Sequence, residues 1–208
     1  MKCFIGIDAG TSGIKVVVFD ALGNVRGTGY HECDVITPRP GWGEQDPREL
    51  WRACSAAVKM AIGSAGAAIE VGGIGFSGQM QGCLLVDRNL EPIGNCIIWL
   101  DQRSSAQVDE ICRLITDDEA LHLTSNHCRN SFWAPKLLWI RENRPEDYER
   151  AYKVMFAKDY LRLCMTGEIA TEVSDASLSF MLDVAARKWS YPVFVRLGID
   201  RSLVPDTL

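Results

Sequence analysis

The residues best placed to do chemistry lie within the first twenty positions of this 208-residue chain. Asp8-Ala9-Gly10-Thr11-Ser12-Gly13-Ile14-Lys15 gathers a carboxylate, two hydroxyls and an ammonium around two glycines. The apolar run Cys3 to Ile7 precedes it, and Val16-Val17-Val18-Phe19 follows and closes on Asp20. That pattern predicts two strands joined by a short glycine turn. Such a turn offers backbone N–H groups and side-chain donors to a phosphate. The acid would repel a phosphate directly. It suits Mg²⁺, which takes one or two carboxylates and completes its shell with water and phosphate oxygens. Read alone, the stretch equally suits a surface hairpin whose glycines only serve the turn.

Two further stretches carry polar groups where strands run out. Gln79-Met80-Gln81 lies between the apolar runs Val71 to Phe76 and Cys83 to Val86, and Leu100-Asp101-Gln102-Arg103 follows the run Ile93 to Trp99. The ends of strands are where ligand sites of α/β folds tend to sit. Gly73 to Gly78 spells G-x-G-x-x-G, but it leads into another strand rather than opening a helix, so a dinucleotide-binding reading is rejected. A Walker-type G-x-x-x-x-G-K-[ST], a G-x-S-x-G elbow with a suitable histidine, and H-E-x-x-H are all missing from the sequence. The adjacent pair Asp117-Asp118 is best explained as the start of a helix.

Val25 to Ile36 is a third strand after the hairpin, so the chain opens on an antiparallel meander rather than a βαβ unit. Asp46-Pro47 with Glu49 predicts a helix start with a capping box, running to about Gly63–Gly66. Further helices are expected over Ser104 to Ile115, from Asp117 to about Leu123, over Trp133 to Asn143, from Pro145, over Lys158 to Met165, and over Trp189 to Leu197. Lys153 to Phe156 is a short strand, and Thr124 to Phe132 is a polar loop. Apolar content of 47% and charged content of 24% are ordinary for a globular chain of this length. The net charge of −5, without a basic run, gives no footprint for nucleic acid or an anionic membrane. No apolar stretch reaches the length of a membrane span, no secretory signal is visible, and a cytoplasmic protein is expected. Eight cysteines without a C-x-x-C pair read as reduced core thiols.

Several segments in one order carry a resemblance. They are I-G-I-D-A-G-T-S-G-I-K (5–15), G-W-G-E-Q-D-P (41–47), G-Q-M-Q-G (78–82), I-I-W-L-D-Q-R (97–103), A-P-K-L-L-W (134–139), K-D-Y-L-R-L-C-M-T-G-E (158–168) and S-D-A-S (174–177). The chain resembles the N-terminal domain of an FGGY family carbohydrate kinase, most closely the xylulokinase branch. The resemblance implies the ribonuclease-H-like α/β fold of the actin, Hsp70 and sugar kinase superfamily, with a mixed five-stranded sheet and helices on both faces. It implies transfer of the γ-phosphoryl of ATP to a sugar hydroxyl, with ATP and Mg²⁺ as cofactors and a sugar as the small-molecule partner. Asp8 would be catalytic through Mg²⁺, and Gly10, Thr11, Ser12 and Lys15 would lie near the phosphates. Gln79, Met80 and Gln81 match the sugar-contacting loop, with Asp101 beside that pocket as a second acceptor for sugar hydroxyls. A homodimer stays open as an assembly.

Two positions depart from the family's pattern. Gln81 stands where xylulokinases carry histidine, and an amide donates and accepts hydrogen bonds without taking a charge. Trp133 stands where a small hydroxylated residue is usual. Xylulose therefore shares the field with ribulose, rhamnulose, fuculose or a polyol such as erythritol, and with a non-catalytic sugar-binding domain of the same fold. The family's general-base aspartate, in a G-G-D-N-type segment, and its ATP-binding C-terminal domain have no counterpart in residues 1–208. The chain alone is expected not to phosphorylate sugars.

Overall fold

The architecture is described from a computed structural model covering residues 1–66 and 68–208. The alternation of apolar residues builds β1 (Lys2–Ala9), β2 (Gly13–Asp20) and β3 (Val25–Glu32) into the expected meander, with Ile7 opposite Val16 and Asp8 opposite Lys15. Next come β4 (Glu44–Gln45), α1 (Pro47–Ser64) and β5 (Glu70–Gly78). β5 returns parallel to β1 and completes a four-stranded mixed sheet in the order β3-β2-β1-β5. The G-x-G-x-x-G segment lies wholly within β5 and opens no helix.

A second sheet follows. β6 (Cys83–Val86), β7 (Pro92–Ile97), α2 (Ser105–Leu114), α3 (Asp117–Thr124), α4 (Trp133–Asn143), α5 (Pro145–Arg150) and β8 (Lys153–Met155) supply its strands and much of its cover. Its order is β4-β7-β6-β8, antiparallel throughout. Then come α6 (Ala157–Thr166), α7 (Val173–Ala176), the small ribbon β9 (Leu182–Asp183) and β10 (Lys188–Trp189), and α8 (Tyr191–Leu197).

Two apolar clusters hold these layers. Cys3, Ile5, Ile7, Val16 and Val18 point to one side of the first sheet, onto Leu50, Ala53, Ala57 and Ala61 of α1 and Leu161 of α6. Leu85, Ile97, Ile111, Trp133, Leu137 and Phe194 form the second cluster, between the second sheet and α2, α4 and α8. Gly29 lets α1 lie directly on β3, since a Cβ there would overlap the Ala57 carbonyl.

The α/β class holds, and several details differ from the sequence reading. The first sheet has four strands rather than five, and its helices cover one face. On the other face Phe4, Val17, Phe19, Ile74 and Phe76 line an open apolar depression of about 740 Å³. β3 ends at Glu32 because the Pro38–Pro40 loop folds back, leaving Ile36 one bridge to Glu44. The box expected at Asp46 is half formed. Asp46 accepts the Arg48 N–H at 2.8 Å, while Glu49 pairs with Arg52 at 2.6 Å. The reciprocal box sits instead at Thr116 and Glu119. Trp189 belongs to a strand rather than to the helix, as Lys188–Trp189 pairs with Leu182–Asp183 before α8 starts at Tyr191. All eight cysteines are free thiols, five of them buried. Among the described residues no helix is long and apolar enough to cross a membrane.

Two glycine substitutions test this packing. Gly29→Ala should destabilise the chain by about 1–3 kcal/mol through the forced displacement of α1. Gly63→Ala, on an open flank of the same helix, should add about 0.5–1 kcal/mol. Urea denaturation followed by circular dichroism reads both signs.

Candidate phosphate and sugar site

The cross-strand register sets one polar row across the first sheet. Ser77 on β5 faces Asp8, Asp8 faces Lys15, and Lys15 faces Tyr30 on β3. Ser77, Asp8 and Lys15 are exposed and line the polar end of the open depression. A carboxylate and an ammonium thus stand side by side on an uncovered face, next to the β1–β2 turn.

That turn is held from several sides. The Gly10 N–H donates to the Gly13 carbonyl at 3.0 Å. The Ser12 carbonyl accepts the Tyr30 hydroxyl at 3.1 Å and the Cys33 N–H at 3.1 Å. Gly13 must be glycine, because a Cβ would overlap the Tyr30 hydroxyl. The Ser12 side chain stays exposed.

Thr11 turns the other way. Its hydroxyl donates to Gln79 Oε1 at 3.1 Å and accepts the Trp99 indole N–H at 3.0 Å. Its carbonyl accepts Gln45 Nε2 at 2.8 Å. Gln79 Nε2 donates to Gln45 Oε1, and the Gln79 backbone N–H donates to the Ala9 carbonyl at 2.8 Å. Gln79 is therefore buried and bound into the hairpin, while Met80 projects into solvent and Gln81 is half-buried with a φ of 66°. The structure brings Asp8, Gly10, Thr11, Ser12 and Lys15 together with Gln79 and places Met80 and Gln81 beside them.

Asp101 stands apart in kind. It is 0% exposed, and its carboxylate accepts the Gly43 N–H at 2.7 Å, the Arg103 backbone N–H at 2.9 Å and Arg103 Nε and Nη2 at 2.9 and 2.7 Å. Arg103 also pairs with Glu44 at 2.8 Å and stacks on Trp42, its guanidinium carbon 3.7 Å from the ring centre. These oxygens are already engaged, and the arrangement orders the 41–45 loop.

Lys136 is a further buried charge, and the sequence reading did not single it out. Its ammonium donates to the carbonyls of Gln81 at 2.8 Å, Ile97 at 3.2 Å and Ile98 at 3.0 Å. Burial pulls it down to about 8, against the opposing influence of Cys83, Cys96 and Asp101, while Arg103 lowers it further. Gln45, Trp99, Ser77 and Tyr30 were also missed as site residues. Gln45 and Trp99 fall within G-W-G-E-Q-D-P and I-I-W-L-D-Q-R, and neither has a neighbour in sequence that hints at Thr11.

The exposed set suits a hydrated Mg²⁺ on phosphate better than a protein cage. Among the described residues no three His, Cys, Asp or Glu side chains converge on a metal position, and a single carboxylate with phosphate oxygens is what Mg²⁺ uses. Asp8 is the residue that would face it, with Ser12 and Lys15 as donors on the same side.

The fold and the polar row define a two-layer α/β domain whose open face is built around a phosphate-type hairpin. The family model described as the FGGY family of carbohydrate kinases, N-terminal domain, matches residues 3–208, and the chain belongs to that family. It is 38% identical over 204 residues to a xylulose kinase of Klebsiella pneumoniae, covering 97% of this chain and 41% of that protein. It is 37% identical to a xylulose kinase of Lactococcus lactis, covering 100% and 42%. The crystal structure of a xyloylose kinase from Brucella ovis superposes with a TM-score of 0.91 at 36% identity, covering 99% and 42%. A xylulose kinase from Rhodospirillum rubrum shares the fold at a TM-score of 0.94 and 24% identity, covering 98% and 42%. The chain spans about two-fifths of the length of these relatives.

Removing Arg103 should show how much rests on it. Arg103→Met leaves the buried Asp101 without its counter-ion and Glu44 with Arg144 alone, at 3.6 Å, and should cost about 3–5 kcal/mol by urea denaturation. Lys136 gives a pH signature. Between pH 8 and 10.5 the unfolded chain keeps a proton that the folded one has released, so this residue's contribution to stability rises with pH in that window. The stability of the parent relative to Lys136→Met should climb by up to about 3 kcal/mol across it, read from urea midpoints at pH 7.5, 9 and 10.5.

Proposed function

We propose that this domain forms the sugar-facing wall of an ATP-dependent ketose kinase, and that D-xylulose is its acceptor. The observation that carries the reading is the Thr11 bridge. One side chain joins the phosphate-type turn to Gln79 and Trp99, so a phosphoryl donor and a sugar would meet at a fixed separation. The xylulose kinase relatives at 37–38% identity support xylulose as the acceptor.

In this reading Asp8 faces Mg²⁺ through water. The turn at Gly10, Thr11 and Ser12, together with the Lys15 ammonium, holds the phosphates. Gln79 fixes the sugar loop, Met80 and Gln81 border the sugar, and Asp101 acts through the Gly43–Gln45 segment it anchors. MgATP, when bound, supplies the phosphoryl group and its neutralising charge, and the protein's contribution is positioning and electrostatics. The base that takes the sugar's hydroxyl proton, and the adenosine pocket, are assigned to the remaining three-fifths of a protein of the relatives' length. A second reading, another ketose or a polyol, has one observation in its favour: Gln81 puts an uncharged amide where xylulokinases carry histidine.

In a protein of that length, Asp8→Ala should lower kcat on D-xylulose by roughly 10²–10³-fold while far-ultraviolet circular dichroism stays unchanged. A coupled ADP-release assay over D-xylulose, ribulose, rhamnulose, fuculose and erythritol sets the acceptor. Near-normal turnover of the variant would reduce the hairpin to a structural feature. Phosphorylation of any of these sugars by residues 1–208 alone would refute the divided site.

A further inference from the structure

Gln81 is one of few non-glycine residues here with a left-handed backbone, a conformation that persists where the surroundings over-determine it. The surroundings are two donors on α4. Trp133 and Lys136 are three apart, on one helical face. The Trp133 indole N–H donates to the Gly82 carbonyl at 2.7 Å, and the Lys136 ammonium donates to the Gln81 carbonyl at 2.8 Å. Both side chains are 0% exposed, and Trp133 stacks on Phe156 with ring centres 3.8 Å apart. Lys136 spends its other two protons on the Ile97 and Ile98 carbonyls, directly before Trp99. On the far side, a Cβ at Gly82 would lie 3.0 Å from Cys96 Sγ, so the loop is gripped between α4 and β7.

We propose that Lys136 and Trp133 are positioning residues that impose the left-handed turn at Gln81 from beneath, and so set which sugar hydroxyls the Gln81 amide can reach. The two positions that depart from the family pattern then act as one unit. The indole draws the Gly82 carbonyl into the core, and the turned backbone directs the glutamine. Lys136 ties the same loop to Trp99 and hence to Thr11, linking the loop's shape to the phosphate-type hairpin. The groups facing the ammonium are Cys83 on β6, Cys96 on β7, and Asp101 with Arg103 after β7. None is a carboxylate within ion-pair distance, so the carbonyls are its counterparts. The inference rests on the reading of the 79–81 loop as sugar-contacting.

The experiment uses residues 1–208 labelled with ¹³C at the methionine methyls, because Met80 projects from this loop. Trp133→Phe keeps the stack and loses the donor, and Lys136→Met keeps the length and loses the ammonium. Both are compared with the parent at pH 7, where the ammonium is charged. In each folded variant the Met80 methyl should shift or split, while the methionines distant from the loop keep their positions. D-xylulose affinity, titrated on that methyl, should fall by about tenfold, as expected when supporting contacts of a site are lost. Should Lys136→Met fail to fold, Trp133→Phe decides alone. An unmoved Met80 methyl with affinity within twofold of the parent overturns the inference. A parent methyl that answers none of the ketoses or polyols, yet moves on either substitution, leaves the positioning intact and takes down the sugar assignment.

Discussion

The site depends on one buried guanidinium. Arg103 binds Asp101 through two nitrogens, pairs with Glu44 on β4, and lies over the rings of both Trp42 and Trp139. A charge this deep is tolerated only with its counter-ions at hand. The consequence reaches outward. Asp101 takes the Gly43 N–H and Arg103 takes Glu44, so the 41–45 segment is pinned at two consecutive residues. The next residue, Gln45, reaches the Thr11 carbonyl and the Gln79 amide. The hairpin and the 79–81 loop, already joined by β1–β5 pairing and by the Thr11–Gln79 bond, are thereby tied through Gln45 to an ion pair that touches neither.

This explains why one part of the site was legible in the sequence and another was not. β1, β2 and their turn are local. The apolar alternation fixes the register, and the register alone places Asp8 beside Lys15. Gln45, Trp99 and Thr11 meet across separations of 34 and 88 residues, and no periodicity records such a contact. Asp101 shows the converse. Its place at a strand end suggested a free acceptor, but the arginine two residues on engages both oxygens. A carboxylate followed at i+2 by arginine is a signal for a closed pair, visible only once both are seen to be buried.

The fold was legible to the same depth. The meander and the rejected dinucleotide motif follow from strand periodicity and from what flanks each glycine. The strand count and the coverage of the first sheet do not, because both depend on what packs against β5 and on the Phe4–Phe19 face. The exposed side of β5 and that apolar face are the least finished parts of the domain. This open apolar surface adjoins the polar row of Asp8, Lys15 and Ser77.

The division of labour among the polar groups gives a physical reason for that adjacency. Thr11, Gln45, Gln79, Asp101, Arg103 and Lys136 have their hydrogen bonds directed inward and serve the shape of the site. Asp8, Ser12 and Lys15 lie exposed on the side that faces out. Groups that must meet a charged ligand gain from being free of internal partners, since any internal hydrogen bond has to be broken or shared before the ligand is bound. Groups that must hold a loop gain from the opposite arrangement, where burial strengthens each bond and leaves few alternative conformations. Thr11 sits at the boundary. Its backbone belongs to the outward turn and its hydroxyl to the inward network, so a load on the turn passes through one residue to Gln79 and Trp99.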